Sequence, residues 1–419
     1  MILQLGLTAL LAFYVAWNLG ANDVANAMGT SVGSKAVTLR QALIIAGVLE
    51  FTGAVLFGHE VSETLATEIV NPELFTAEPQ VLLQGMFSVL LAAGLWLQIA
   101  TSRGFPVSSS HAVVGAIAGF SWVAAGVQAI DWSLIGTISL AWVVTPLVSG
   151  AIAALFYRII KYSILDRQDS IQQLNEWIPW LSVALLSVFG IIVLPKLSQP
   201  INTFFHEQLH WNIPKHDLPI GIGAIAAVSL TMVSWRQLDK NIVRQSFAPT
   251  QNTVEKQLAK FQLLSACFVA FAHGSNDVGN AIAPLAAINY INQTGTVPVN
   301  GITIPLWILV LGGAGIVTGL AIWGKKVIAT IGEGIIPLQP SAGFCAELAT
   351  ATTILLASRV GIPVSTSHAL VGGVVGIGLV QGNQSIQFKT VQGIVMAWLI
   401  TVPAGALLGA SVFAIARNF

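Results

Sequence analysis

Long apolar runs alternate with short polar ones along all 419 residues of the chain. A helix that crosses a bilayer needs about 20 apolar residues. Runs near that length predict helices over 2–28, 38–58, 80–101, 107–128, 132–160, 177–197, 217–235, 261–288, 303–324, 341–359, 363–381 and 387–416. The expected fold is an all-α polytopic membrane protein with about twelve transmembrane segments, some of them re-entrant. Met1 leads straight into an apolar run without a basic region before it, so the first segment reads as an uncleaved span.

Composition strengthens this reading. Hydrophobic residues make up 55% of the chain and charged residues 9%, against about 25% charged in soluble domains. Such a chain cannot cover a water-facing surface, and lipid is its expected surroundings. A net charge of zero gives no reason to expect a nucleic-acid partner. Cys267 and Cys345 lie in apolar runs and read as small packing residues, not as a disulfide.

Nearly all the charge lies between the segments. Residues 59–79 are acidic, whereas 236–260 carry Arg236, Lys240, Arg244, Lys256 and Lys260 against Asp239 and Glu255. The positive-inside rule makes 236–260 cytoplasmic, together with the Arg158, Lys161 and Arg167 stretch two helices earlier. Counting back through the segments puts the acidic stretch and both termini outside. Lys35 and Arg40 then fall inside, as the rule requires.

The pattern also repeats. "GANDVANA" (20–27) matches "GSNDVGNA" (274–281) at six of eight positions, and "FPVSSSHAVVG" (105–115) matches "IPVSTSHALVG" (362–372) at eight of eleven. "TGAVLFGHEVSET" (52–64) aligns more loosely with "TGLAIWGKKVIAT" (318–330). Three matches in one order at nearly constant offset divide the chain into a first repeat at 1–160, a non-repeated middle at 161–260 with two transmembrane helices and a basic cytoplasmic loop, and a second repeat at 261–419. The charge count makes the first repeat enter from outside and the second from inside. Inverted repeats are the plan of many secondary transporters, whose substrate site lies near the midplane between the repeats.

Two sets of residues could carry chemistry there. Gly104-Phe105-Pro106 and Gly361-Ile362-Pro363 break the preceding helices, and proline and serine suit the start of a new one. Ser108, Ser109 and Ser110, and Ser365, Thr366 and Ser367, then sit in two first turns. Each turn offers free N–H groups, hydroxyls and the positive end of a helix dipole to an anion. The plainer alternative is ordinary capping. His111 and His368 follow the triplets and read as packing or supporting residues more readily than as ligands.

The second set is Asn22, Asp23 and Asn26 with Asn276, Asp277 and Asn280. Carboxylates and amide oxygens suit a hard cation, and an acid inside a bilayer is functional by default. Adjacent residues diverge on a regular helix. Gly20 and Gly274 therefore suggest local breaks that let the set converge. A network that merely locks two helices is the alternative. Glu50 and Glu347 either line the pathway or pair with Arg103, Arg359 or a lysine. The tryptophans lie towards segment ends, as interfacial anchors do, and mark no cofactor site.

On "GANDVANA", "GSNDVGNA" and the paired "PVSSSH" and "PVSTSH" segments, the chain resembles the inorganic phosphate transporter (PiT) family over residues 15–120 and 265–380. The resemblance implies an inverted repeat, about twelve segments, both termini outside and uptake of inorganic phosphate coupled to sodium or protons; one bacterial branch moves sulfate. It implies that Ser108 to Ser110 and Ser365 to Ser367 cradle the anion. Asn22, Asp23, Asn276 and Asp277 would bind coupling cations or help hold substrate. Glu50 and Glu347 match membrane glutamates implicated in transport. The first triplet is Ser-Ser-Ser where many members have a threonine, and the short middle lacks the long cytoplasmic insert of animal members.

The expected protein is thus a cation-coupled phosphate importer in the plasma (inner) membrane, with sodium or proton as coupling ion, no enzymatic activity and no cofactor. A homodimer is compatible with the sequence. A sulfate permease on the same scaffold is the first rival, since whether Asp23 or Asp277 faces anion or cation is not legible. A hydrolase using Ser108 or Ser110 with His111 fits poorly, because neighbours on a helix point apart. A passive channel fits broken midplane helices less well than a carrier does.

Overall fold

The structure is a computed structural model that describes residues 2–104, 107–208, 214, 216–244, 250–382 and 385–418. It is all-helical, with one isolated antiparallel bridge between Val70 and Ile130. The helices are α1 (Ile2–Gly33), α2 (Leu39–Phe57), α3 (His59–Thr67), α4 (Pro79–Ser102), α5 (Ser109–Ala125), α6 (Trp132–Ile160), α7 (Ser170–Ile192), α8 (Leu194–Gln208), α9 (Asp217–Arg244), α10 (Thr250–Thr294), α11 (Leu306–Gly334), α12 (Pro340–Arg359), α13 (Thr366–Gln381) and α14 (Phe388–Ala416).

Among the described residues, nine helices are long and apolar enough to cross a membrane: α1, α2, α4, α6, α7, α9, α11, α12 and α14. The other three expected segments differ for physical reasons. α5 and α13, at 17 and 16 residues, are shorter apolar helices. At 1.5 Å per residue they reach roughly 25 Å, short of the ~30 Å hydrocarbon layer. α10 is long enough, but it carries His273, Ser275, Asn276, Asp277 and Asn280, all buried. Leucines on α1 and α14, among them Leu3, Leu10, Leu399 and Leu407, stand exposed as a lipid-facing surface requires.

The polar stretches between the apolar runs also differ from expectation. The acidic stretch 59–79 is not a plain loop, because it holds α3 and a 3₁₀ turn over Pro72–Phe75. Burial, and then the Glu63 and Asp131 carboxylates, push Glu68 there above the usual carboxylate range. The basic stretch 236–260 is mostly helix, the end of α9 and the start of α10, with 245–249 outside the described residues. The middle of the chain also holds α8, which the apolar pattern does not predict.

Packing is reciprocal between the halves. α1 packs against α11 as α10 packs against α2; α5 against α14 as α13 against α6; α1 against α4 as α10 against α12. Glycines mark the crossings. A methyl group on Gly20 would overlap the Ile316 carbonyl of α11, and one on Gly274 the Glu50 carbonyl of α2. Gly53 and Gly319 meet Phe271 and Trp17 in the same way. Lipid gives helices no hydrophobic reason to associate, so close backbone approach at small residues is what holds them. This corrects the reading of Gly20 and Gly274 as breaks: α1 and α10 run unbroken through both motifs.

Candidate functional site

The serine-rich starts form as their sequence suggests. Ser108 and Ser365 are the N-cap residues of α5 and α13, in extended conformation, and each side chain accepts a hydrogen bond from the N–H of the histidine three residues on, at 3.3 and 3.4 Å. Pro363 lies before the cap rather than in the first turn. Phe105 and Pro106 of the first motif lie outside the described residues. Gly104 and Gly361 reverse the chain into these starts with φ of 72° and 71°, a conformation that glycine adopts without penalty. The two starts touch: the Ser110 hydroxyl donates to the Val364 carbonyl at 3.0 Å. Ser365 and Ser367 pair through their hydroxyls at 2.9 Å.

The Asn-Asp motifs use the divergence of neighbours instead of abolishing it. Asn22 of α1 donates to the Thr101 hydroxyl of α4 at 3.0 Å, and Asn276 of α10 meets the Ser358 hydroxyl of α12 at 2.9 Å. One residue on, Asp23 and Asp277 turn towards each other across the contact between α1 and α10. His273 joins them there. Its Nε2 lies 3.0 Å from Asp277 and 4.0 Å from Asp23, and its Nδ1 lies 3.2 Å from Glu50. All four side chains are at most 3% exposed.

This cluster adjoins the serines. Thr366 donates to Asp277 at 2.7 Å, and the Ser109 hydroxyl lies beside Asp23. Asn280 donates to Ser109 and Ser110 at 3.2 and 3.1 Å, while Asn26 donates to Asp23 at 3.1 Å. Asp23 Oδ2, Asn26 Oδ1 and Asn280 Oδ1 are buried oxygens that accept no hydrogen bond from the described residues. Acceptors without donors suit a cation, and one atom each of Asp23, His273 and Asp277 lie within 4.8 Å of one another.

Glu347 stands elsewhere. Its carboxylate accepts from Thr30 and Ser31 at 2.6 Å each, from Gln262 at 3.2 Å and from Ser265 at 2.7 Å. These partners are at least seven residues along α1 and eight along α10 from Asp23 and His273, hence roughly 10 Å away. Of the two alternatives for Glu50 and Glu347, pairing with arginine or lysine is not seen among the described residues. Arg359 donates to the Ile191 carbonyl instead. Lys260, two residues from Gln262, turns to the side chains of Gln237 and Gln257 at 2.7 and 3.1 Å.

His111 and His368 point away from the serines. Their Nδ1 atoms meet the Trp398 and Trp142 carbonyls at 3.3 and 2.9 Å, and their rings pack between those two indoles and each other. Trp142 and Trp398 are thus buried clasps, not interfacial anchors. The sequence reading missed them, together with Thr101, Ser358 and His273. Position 101 corresponds to 358 at the repeat offset, and His273 is a lone titratable residue in an apolar run beside "GSND", so both signals were available.

Membrane-length helices with lipid-facing leucines, surrounding a buried centre of acids, amides and hydroxyls, define an integral membrane protein. Residues 19–409 match the phosphate transporter family, and the chain belongs to it. It is 38% identical to inorganic phosphate transporter 2-1, chloroplastic, of Arabidopsis thaliana, over 96% of this chain and 70% of the relative. A solved structure described as the sodium-dependent phosphate transporter superposes with a TM-score of 0.88 at 36% identity, covering 99% of each chain.

Proposed function

We propose that the protein imports inorganic phosphate together with a cation, by alternating access between inverted repeats in the plasma membrane. One observation carries the coupling. Three carboxylates, Asp23, Asp277 and Glu50, gather round a single histidine directly beside the serine-rich helix starts. With the three acids ionised and His273 protonated the cluster carries −2, and phosphate near neutral pH adds −1 to −2. Two helix N-termini return only about +1 together. The anion is repelled until cations, or protons on the acids, neutralise the cluster. Cation binding before phosphate follows, and with it obligatory coupling.

In this reading Ser109, Ser110, Thr366 and Ser367 supply hydroxyls to the anion, and Ser108 and Ser365 hold the two turns open to it. Asp23, Asp277, Asn26 and Asn280 supply oxygens to the cation. Asn22 and Asn276 fix α1 and α10 to α4 and α12, and Glu50 and His273 set the charge of the centre. The sodium dependence named for the solved relative favours sodium over protons. Reciprocal packing of the halves supports the inverted repeat.

The test is uptake of radiolabelled phosphate and sulfate into proteoliposomes, with sodium and proton gradients imposed separately. Phosphate uptake that needs an inward cation gradient is expected. Equal uptake without any cation gradient refutes the coupling, and uptake of sulfate alone refutes the substrate. Asp23→Asn with Asp277→Asn should remove the cation dependence.

A further inference from the structure

α8 belongs to the middle of the chain, which the repeated motifs do not cover. Beside it lies a cavity of about 1130 Å³. It is lined by Lys196 and Thr203 of α8, Glu60 of α3, the exposed Arg359 of α12, and the buried Ser275 and Ser358. Ser358 is the residue whose hydroxyl meets Asn276. The cavity therefore ends one hydrogen bond from the buried centre.

We propose that this cavity is an outer vestibule in which Lys196 and Arg359 collect phosphate before it passes Ser358. The proposal rests on the function set out above. Three observations support it. First, its volume is far larger than the ~30 Å³ a water occupies in the liquid, so an anion can enter still hydrated. Second, it lies at the outer side. α7 starts just after the Arg158 to Arg167 stretch and α9 ends at Arg236 to Arg244, whereas the cavity touches the other ends, at Ile192 and His216. The positive-inside rule puts that side away from the cytoplasm.

Third, its lining sets two cations, Lys196 and Arg359, against two carboxylates, Glu60 and Glu207, and Arg359 makes no ion pair among the described residues. Lys196 Nζ lies 2.6 Å from Glu60 and 4.7 Å over the Phe57 ring, bridging α8 to α3 at the wall. Arg359 spends one N–H on the Ile191 carbonyl at 3.2 Å, and a guanidinium has five. Because the repeated motifs do not cover α8, the approach past Ser358 carries side chains, Lys196 among them, that the repeat does not supply at Thr101.

Two measurements test this. Thr203→Cys is introduced on a background of Cys267→Ala and Cys345→Ala, reconstituted, and treated with a bulky membrane-impermeant thiol reagent from the α8 side. Labelled phosphate uptake should be intact before modification and largely lost after it, and inorganic phosphate should slow the modification. Intact uptake after modification verified by mass spectrometry overturns the vestibule, as does modification that phosphate does not slow. Arg359→Gln should raise KM for phosphate roughly fivefold, the effect of one lost charge about 8 Å from a dianion in water. It should leave kcat unchanged and flatten the dependence of KM on ionic strength set with choline chloride. An unchanged KM overturns the recruiting role. If the wild type moves no phosphate at all, the function fails, while phosphate protection of Thr203→Cys still judges the vestibule.

Discussion

Replacing His273 by glutamine removes the one side chain that can carry positive charge among three buried acids while keeping most of its volume. The imidazole sits 3.0 Å from Asp277, 3.2 Å from Glu50 and 4.0 Å from Asp23. At an effective dielectric constant of 20, each contact corresponds to about 4–6 kcal/mol of Coulomb energy before desolvation is subtracted. Breaking a buried pair by removing one partner costs about 3–5 kcal/mol net. For chains longer than 250 residues this amounts to at most about 2 °C per kcal/mol, so a fall of up to about 10 °C is expected in sodium-free detergent solution. Sodium should then act as a substitute charge. A cation present at a hundred times its dissociation constant returns about 2.7 kcal/mol, more than half of the loss. The assay is thermal unfolding of wild type and His273→Gln, titrated with sodium chloride against choline chloride. An unchanged midpoint for the variant without sodium would show that His273 carries no charge that the acids need. A lowered midpoint that sodium does not raise would remove the cluster from cation binding.

Three further outcomes follow from the packing. Glu347→Gln should unfold within about 1 kcal/mol of wild type, because Ser265 can turn its donor to the Gln262 carbonyl 2.9 Å away and accept from the new amide; Glu347→Leu takes the acceptor from Thr30, Ser31 and Gln262 and should lose several times more in the same unfolding assay. Gly274→Leu should abolish a monodisperse gel-filtration peak, since even a methyl there overlaps the Glu50 backbone, whereas Gly221→Ala, with nothing within 4 Å, should behave as wild type. Ser108→Ala or Ser365→Ala should each destabilise by about 1 kcal/mol through the lost cap, and the corresponding glycines by only a few tenths; thermal unfolding distinguishes the two series.

Much of this protein is legible along the chain because a bilayer imposes simple rules. Apolar length marks nine membrane-length helices, and duplicated motifs mark corresponding positions such as Ser108 and Ser365. The capping geometry of Ser108 and Ser365 is local and was readable for that reason. Which residues meet across helices is not local. Helical phase separates Asn22 from Asp23, and the sequence reading resolved this with broken helices at Gly20 and Gly274. Tertiary structure resolves it otherwise. Glycines bring α1 onto α11 and α10 onto α2, the helices stay whole, and each motif serves two neighbours at once. Glu50 and His273 come from different repeats at positions that are not equivalent, so repeat matching could not join them. α8 escaped the apolar pattern because it is short and polar, and only its packing against α7 and α9, with Lys196 tied to Glu60 of α3, reveals the cavity it helps to enclose. Sequence by itself located nine membrane-length helices among its twelve apolar segments, the duplicated motifs and the kinds of ligand available. The choice of partners was left to the tertiary structure, because pairing depends on helix crossings that residues far apart in the chain decide together.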